Sequence, residues 1–228
     1  MNARHRGLGA PLVLLATYAL LTLAAFWISD DYVAAWLPLL KLESRWLLPQ
    51  GVLCDSVALV TRNAQRLVEL HATTAARLVS EHNVVPQGVL RSSTLQAYVL
   101  SHPVIVYAIL AAWPVTDWSR RAKLLTLGVP CVLVTTSLDI PFVLAGQARE
   151  LLFEQFAPDR AAGDPLAIYY SFMHGGGRIG LAISAALLTA LLATRASRRG
   201  ARTSSIASTR RNVNSSAQKR HRVAATSR

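Results

Sequence analysis

Charge is scarce in this chain. Only 16% of its 228 residues are Asp, Glu, Lys or Arg, against 52% hydrophobic residues, which is not the balance of a soluble domain. The scarcity is concentrated: residues 7–29 carry no charge across 23 positions and residues 92–116 none across 25. Either stretch is long enough to cross a hydrocarbon core ~30 Å thick, which takes about 20 residues of helix. The sequence therefore reads as an integral membrane protein. Cysteine is equally sparse, with Cys54 and Cys131 alone. Cys131 falls about 10 Å into a predicted span and Cys54 in an outer segment, so no internal disulfide is expected. A metal constellation is lacking too, because His71 and His82 sit about 16 Å apart along a helix axis and cannot share one ion. No metal and no cofactor are expected.

What basic charge there is lies mostly at one end. Lys and Arg total 24 against 12 acids, but ten of the 24 fall in residues 195–228, where no acid occurs. That tail has no apolar period with which to offset its chain entropy and reads as disordered. Nothing aromatic lies between its arginines, so base stacking has no platform and nucleic acid is not the expected partner. Arg195, Arg198, Arg199 and Arg202 instead lie within reach of an anionic lipid leaflet, where each contributes about 1 kcal/mol. Arginine outnumbers lysine 21 to 3, which together with abundant Ala and Leu suggests a GC-rich bacterial gene.

The apolar runs predict an all-α integral membrane protein with four transmembrane helices. These are 8–29, an uncleaved signal anchor, then 97–117, 124–144 and 168–194. Residues 1–7, the turn 118–123 and the tail 195–228 are assigned to the cytoplasm, and 30–96 and 145–167 to the outside. Fifteen basic residues fall on the cytoplasmic side, with one acid, Asp117, at its border, against eight basic and ten acidic residues outside. This asymmetry places both termini inside a bacterial inner membrane.

The outer segment 30–96 is predicted to be helical. Trp36, Leu37, Leu39, Leu40, Trp46, Leu47 and Leu48 suggest a short interfacial piece. Over residues 55–81, Val57, Val60, Ala64, Leu67, His71, Ala75 and Leu78 recur at steps of three and four, the period of an amphipathic helix. His71 reads as packed within that stripe, and His102, before Pro103, as interfacial.

Few residues suggest chemistry. The run His174-Gly175-Gly176-Gly177-Arg178-Ile179-Gly180 matches a dinucleotide pattern by spacing, but it lies inside an apolar span and lacks the strand that such a glycine turn follows. Gly176, Gly180 and Ser184, four residues apart, read instead as a small-residue helix-packing face. Asp139 and Arg178 are the charges within the predicted spans, and each lies about 23 Å above the inner surface by helix rise. A lone charge there costs about 2.5–3.5 kcal/mol, so the two read as an intramembrane ion pair, either a lock between spans or a polar site.

The leading functional expectation is a non-enzymatic inner-membrane subunit or scaffold factor. It would meet the bilayer and other envelope proteins, or a second copy of itself, through the outer helix and the small-residue face. The alternative is a membrane-embedded, thiol-dependent enzyme acting at the outer face through Cys54, His174 and Arg178. A small transporter or channel subunit, resting only on Asp139 and Arg178, comes third.

Overall fold

A computed structural model describes residues 6–74, 78–79, 84–85, 88–115, 117–157 and 163–195. The fold is mostly helical, with three helices long and apolar enough to cross a membrane, and it also holds a three-stranded sheet. Helix α1 (Arg6–Leu47) absorbs both the first predicted span and the interfacial segment after it. At about 1.5 Å per residue its 42 residues reach about 63 Å, twice the thickness of a hydrocarbon core. Its two halves behave differently. Leu12, Leu15, Leu20, Leu23, Phe26 and Trp27 are exposed, whereas Val33, Trp36, Leu40 and Ser44 form a buried stripe at steps of three and four. That stripe is why residues 36–47 continue the helix instead of forming a separate piece, and Pro38 is accommodated on its exposed side.

Among the described residues of 55–81 the predicted helix is replaced by strands, while 75–77 and 80–81, with Ala75 of the predicted stripe, lie outside them. Strand β1 (Val52–Arg62) pairs antiparallel with β2 (Gln65–Thr74), and β2 pairs antiparallel with β5 (Val89–Leu95). Two short strands, β3 (Leu78–Val79) and β4 (Val84–Val85), pair with each other. The reason is a second period hidden in the same residues. Val68, Leu70, Ala72 and Thr74 alternate into the core at steps of two, and the segment is rich in the β-branched residues that suit a pleated surface. The break between the strands is local as well. Asn63 and Ala64 adopt positive φ, 49° and 61°, and link Arg62 to Gln65 in a two-residue hairpin. Such turns need the left-handed conformation at both central positions, and Asn tolerates it.

Helix α2 (Gln96–Ala112) follows β5 directly. Its 17 residues fall short of the length of the three apolar helices, so the second predicted span is a shorter helix than expected. From Val99 to Leu110 it is buried or half-buried throughout. Helix α3 (Trp118–Phe156) opens with Asp117, whose carboxylate accepts from Ser119 N at 3.2 Å, and extends twelve residues past the predicted end at 144. Gly128 lets it close on α2: a Cβ there would meet Tyr107 at 2.8 Å and Leu110 at 2.9 Å.

Helix α4 (Pro165–Arg195) is capped by Asp164, whose Oδ1 accepts from Leu166 N and Ala167 N at 3.0 and 3.1 Å. Such a cap contributes about 1 kcal/mol. Arg149 holds the same carboxylate at 2.9 Å. Gly146 of α3 lies against the Leu166 carbonyl and Tyr170, so α4 enters antiparallel to α3 at backbone contact. The glycine run Met173–Gly177 makes one wide π turn with Gly176 at φ 107°. Below it, Ala182, Ala186 and Ala190 form a buried small-residue seam and join one core with Val33, Leu40, Leu70, Val99, Leu110 and Leu144.

Ala64 is the hairpin residue that pays for its conformation. Ala64→Gly relieves a left-handed residue, which costs about 1–2 kcal/mol in an L-amino acid, less the entropy glycine adds to the unfolded chain. The variant is expected to gain about 0.5–1 kcal/mol, read as a higher midpoint of thermal aggregation in detergent; a lower midpoint would count against the hairpin.

Candidate functional site

Two of the buried charged residues, Asp139 and Arg178, meet at one point. Asp139 on α3 is fully buried, and its carboxylate is shared. Its Oδ1 lies 3.2 Å from Arg178 Nε on α4, and its Oδ2 lies 3.2 Å from His102 Nε2 on α2. Arg178 Nη1 donates to Thr94 Oγ1 of β5 at 2.9 Å, and the guanidinium carbon sits 4.1 Å from the centre of the Tyr98 ring. Four successive elements thus converge on one guanidinium and one carboxylate. His102 is fully buried and Arg178 is 3% exposed.

Local sequence explains how each side chain arrives. Arg178 follows the π turn, which shifts the phase of α4 so that Arg178 heads the buried stripe continued by Ala182, Ala186 and Ala190. The small alanines leave space for α4 to approach, and the long arginine fills the space at the end of the row. Tyr98 and His102 lie one helical turn apart on α2 and so share a face. Thr94 comes two residues before that helix, alternating inward with Ser92. Tyr169 supports the same region from outside, donating its hydroxyl to the Leu138 carbonyl at 2.7 Å.

The contacts around Asp139 have ion-pair distances but lack hydrogen-bond alignment. Both carboxylate oxygens, both His102 ring nitrogens, and Nε and Nη2 of Arg178 have no aligned hydrogen-bond partner among the described residues. Coulombic attraction is therefore the main bond, and only the Arg178–Thr94 contact is directional. The Asp139 carboxylate and the Arg178 guanidinium balance each other in charge at a buried point.

His102 is a correction to the sequence reading, since it is a core residue and not an interfacial one. Thr94 and Tyr98 also escaped that reading. The available signal was the i, i+4 spacing of Tyr98 and His102 in an uncharged stretch. His71 lies on β2, its Nε2 3.1 Å from Glu69 Oε1, and the same oxygen takes Arg62 Nη2 at 2.9 Å.

The three residues of the thiol hypothesis are dispersed. Cys54 is on β1 with its Sγ 4.0 Å from the Lys41 carbonyl of α1. His174 is exposed on the π turn, its ring 4.4 Å from that of Tyr170. No hydrogen bond or ion pair among the described residues joins either to Arg178. Burial pushes the Cys54 thiol above its ordinary pKa, Lys41 pulling it partly back, so the thiolate that would be the nucleophile is disfavoured. Gly176, Gly180 and Ser184 are exposed, and a Cβ at Gly176 or Gly180 would meet nothing within 4 Å. The seam packed inside this chain is the alanine row instead. Arg195 is exposed at the end of α4, while Arg198, Arg199 and Arg202 lie outside the described residues. Among the described residues no three His, Cys, Asp or Glu side chains gather to hold a metal. Compared with family models, with curated proteins and with solved structures, the chain matches none.

Removing one partner of a buried ion pair leaves an uncompensated charge, at a cost of about 3–5 kcal/mol. Asp139→Asn and Arg178→Gln are each expected to lower the amount of folded protein recovered from membranes, and the double substitution to recover part of the loss. Immunoblotting of membrane fractions reads this; additive losses would mean the two charges act separately. For Cys54, the sign follows from its raised pKa. Alkylation by a neutral iodoacetamide reagent is expected to be slow at neutral pH and to accelerate only at a higher pH than a free thiol requires. A Cys54 as reactive at pH 7 as free cysteine would contradict the burial described.

Proposed function

We propose that this chain is a non-enzymatic, multi-pass subunit of a bacterial inner-membrane complex, with both termini and residues 118–123 on the cytoplasmic side. The observation that carries the proposal is the position of the buried charges. His102 and Arg178 lie buried at ion-pair distance from the buried Asp139, with Arg178 donating to Thr94, at the meeting point of β5, α2, α3 and α4, which suits a lock better than a site open to substrate. Three long apolar helices support a multi-pass chain. The antiparallel contact of α2 with α3, from His102–Asp139 to Tyr107 and Leu110 beside Gly128, supports α2 as a short return crossing. The charge asymmetry along the sequence supports the orientation.

Two surfaces are free for assembly. The Gly176, Gly180 and Ser184 face of α4 is uncovered, and such faces let another helix approach closely. Among the described residues strand β1 pairs with β2 alone, and an unpaired edge offers backbone donors and acceptors to a partner strand. These surfaces take the place of the outer helix that the sequence suggested.

A second reading, a polar site within the membrane, is favoured by the unaligned nitrogens of His102 and Arg178. The two separate in one experiment. Solubilised from native membranes in mild detergent, the full chain is expected to migrate well above its monomer mass, and Gly180→Leu to return it toward the monomer at unchanged abundance. A wild-type chain that runs as a clean monomer would sink the assembly reading. His102→Gln protein at normal abundance that fails to support cellular function would favour the polar site.

A further inference from the structure

A cleft of about 640 Å³ opens between α1, the β1–β2 hairpin and the start of α2. That size falls in the range of about 300–1,000 Å³ usual for small-molecule sites. Its walls change character along α1. On one side stand Phe26 and Trp27, which end the exposed apolar stretch; on the other stand Asp30 and Asp31, the first charges after it. Arg66 of β2 forms an ion pair with Asp30 Oδ2, and Gln96, itself 5% exposed, donates its amide to Asp30 Oδ1 at 3.0 Å. Asp30 is thereby fixed from two sides. Asp31 lines the same cleft, is exposed, and has no ion-pair partner among the described residues. The Arg66 side chain remains half exposed.

We infer that this cleft binds the headgroup of an aminophospholipid, with the ammonium on Asp31 and the phosphate on Arg66. Charge complementarity beside an apolar helix selects that headgroup. Two carboxylates and one guanidinium leave a surplus negative charge beside an accessible cation, a pattern that matches an ammonium–phosphate zwitterion and repels a purely anionic headgroup. A primary ammonium donates three hydrogen bonds to carboxylates, which a quaternary choline does not. The exposed apolar half of α1 ends at the cleft, so a lipid whose chains lie along that helix brings its headgroup to Asp31 without leaving the bilayer. Trp27 stands at the boundary, where aromatic side chains favour the headgroup level. The inference rests on α1 lying in a membrane and is independent of the assembly reading.

The test uses the full-length chain in nanodiscs of equal phosphatidylethanolamine and phosphatidylglycerol, with the retained lipid identified by native mass spectrometry. Wild-type protein is expected to retain phosphatidylethanolamine about fivefold over the bulk ratio, the scale of one charge-assisted contact. Asp31→Asn and Arg66→Gln are each expected to return retention to the bulk ratio, while Arg120→Gln, an exposed control charge on α3, leaves it unchanged. Should Arg66→Gln fail to fold, the exposed Asp31→Asn decides alone. Retention at the bulk ratio by wild type, equal retention of phosphatidylcholine in nanodiscs where it replaces phosphatidylethanolamine, or no effect of Asp31→Asn overturns the inference. Free phosphoethanolamine at the same concentration is expected not to displace the lipid, since it cannot use the apolar wall; displacement would assign the cleft to a soluble zwitterion instead. Resistance of the chain to alkaline carbonate extraction checks the membrane placement of α1 separately, so a failure there is told apart from a failure of the headgroup site.

Discussion

The fold is organised around a carboxylate that has nowhere to go. Asp139 is fully buried on an apolar helix, and a lone ionised carboxyl in such surroundings is costly. A guanidinium and an imidazole from two other helices answer it, and the guanidinium of Arg178 is itself held by Thr94 and by the Tyr98 ring. The cluster therefore sets the mutual position of β5, α2, α3 and α4 more tightly than apolar packing alone would, because leucines and alanines slide past one another at small cost whereas a buried charge does not leave its partner. Its distances without alignment describe a contact dominated by Coulombic attraction. Such an arrangement holds position strongly and orientation weakly.

The geometry of α4 follows from that requirement. An unbroken α-helix through three glycines has little intrinsic stability, and the wide turn at Met173–Gly177 shows where the chain yields. Yielding there is useful. The turn re-phases the helix so that Arg178 enters the core in line with the alanine seam, and the close contact between Gly146 and the Leu166 backbone fixes the other end of the same helix. The glycine run and the arginine after it thus form one structural device, a change of phase followed by an anchor.

The upper half of α1 and the sheet solve a different problem. A helix of 42 residues exceeds what a bilayer covers, and its far half needs another apolar surface. The inward-facing Val68, Leu70 and Ala72 of β2 join Val33, Trp36 and Leu40 in one core. The hairpin turn at Asn63-Ala64 brings Arg66 back to Asp30, close to where α1 changes from exposed to packed. The same region is the mouth of the cleft, so the ion pair that ties the sheet to the helix also shapes a polar pocket beside an apolar surface.

The sequence by itself determined the apolar character of the chain. Uncharged stretches of more than twenty residues leave no other reading, and the long helices over residues 11–47, 118–156 and 165–195 are compatible with it. It also isolated Asp139 and Arg178 as charges in apolar surroundings, because a charge in such a run stands out without any knowledge of its neighbours. Tertiary structure decided the rest. Residues 55–81 carry two periods at once, and only packing against α1 and pairing with β5 selected the period of two over the period of three to four. His102, Thr94 and Tyr98 gave little signal, since a histidine next to a proline and a threonine in a strand are ordinary residues until a buried carboxylate and a guanidinium arrive from segments about 40 and 80 positions away. Local sequence encodes what each segment prefers, but which polar groups must share one desolvated point is a property of the packed chain alone.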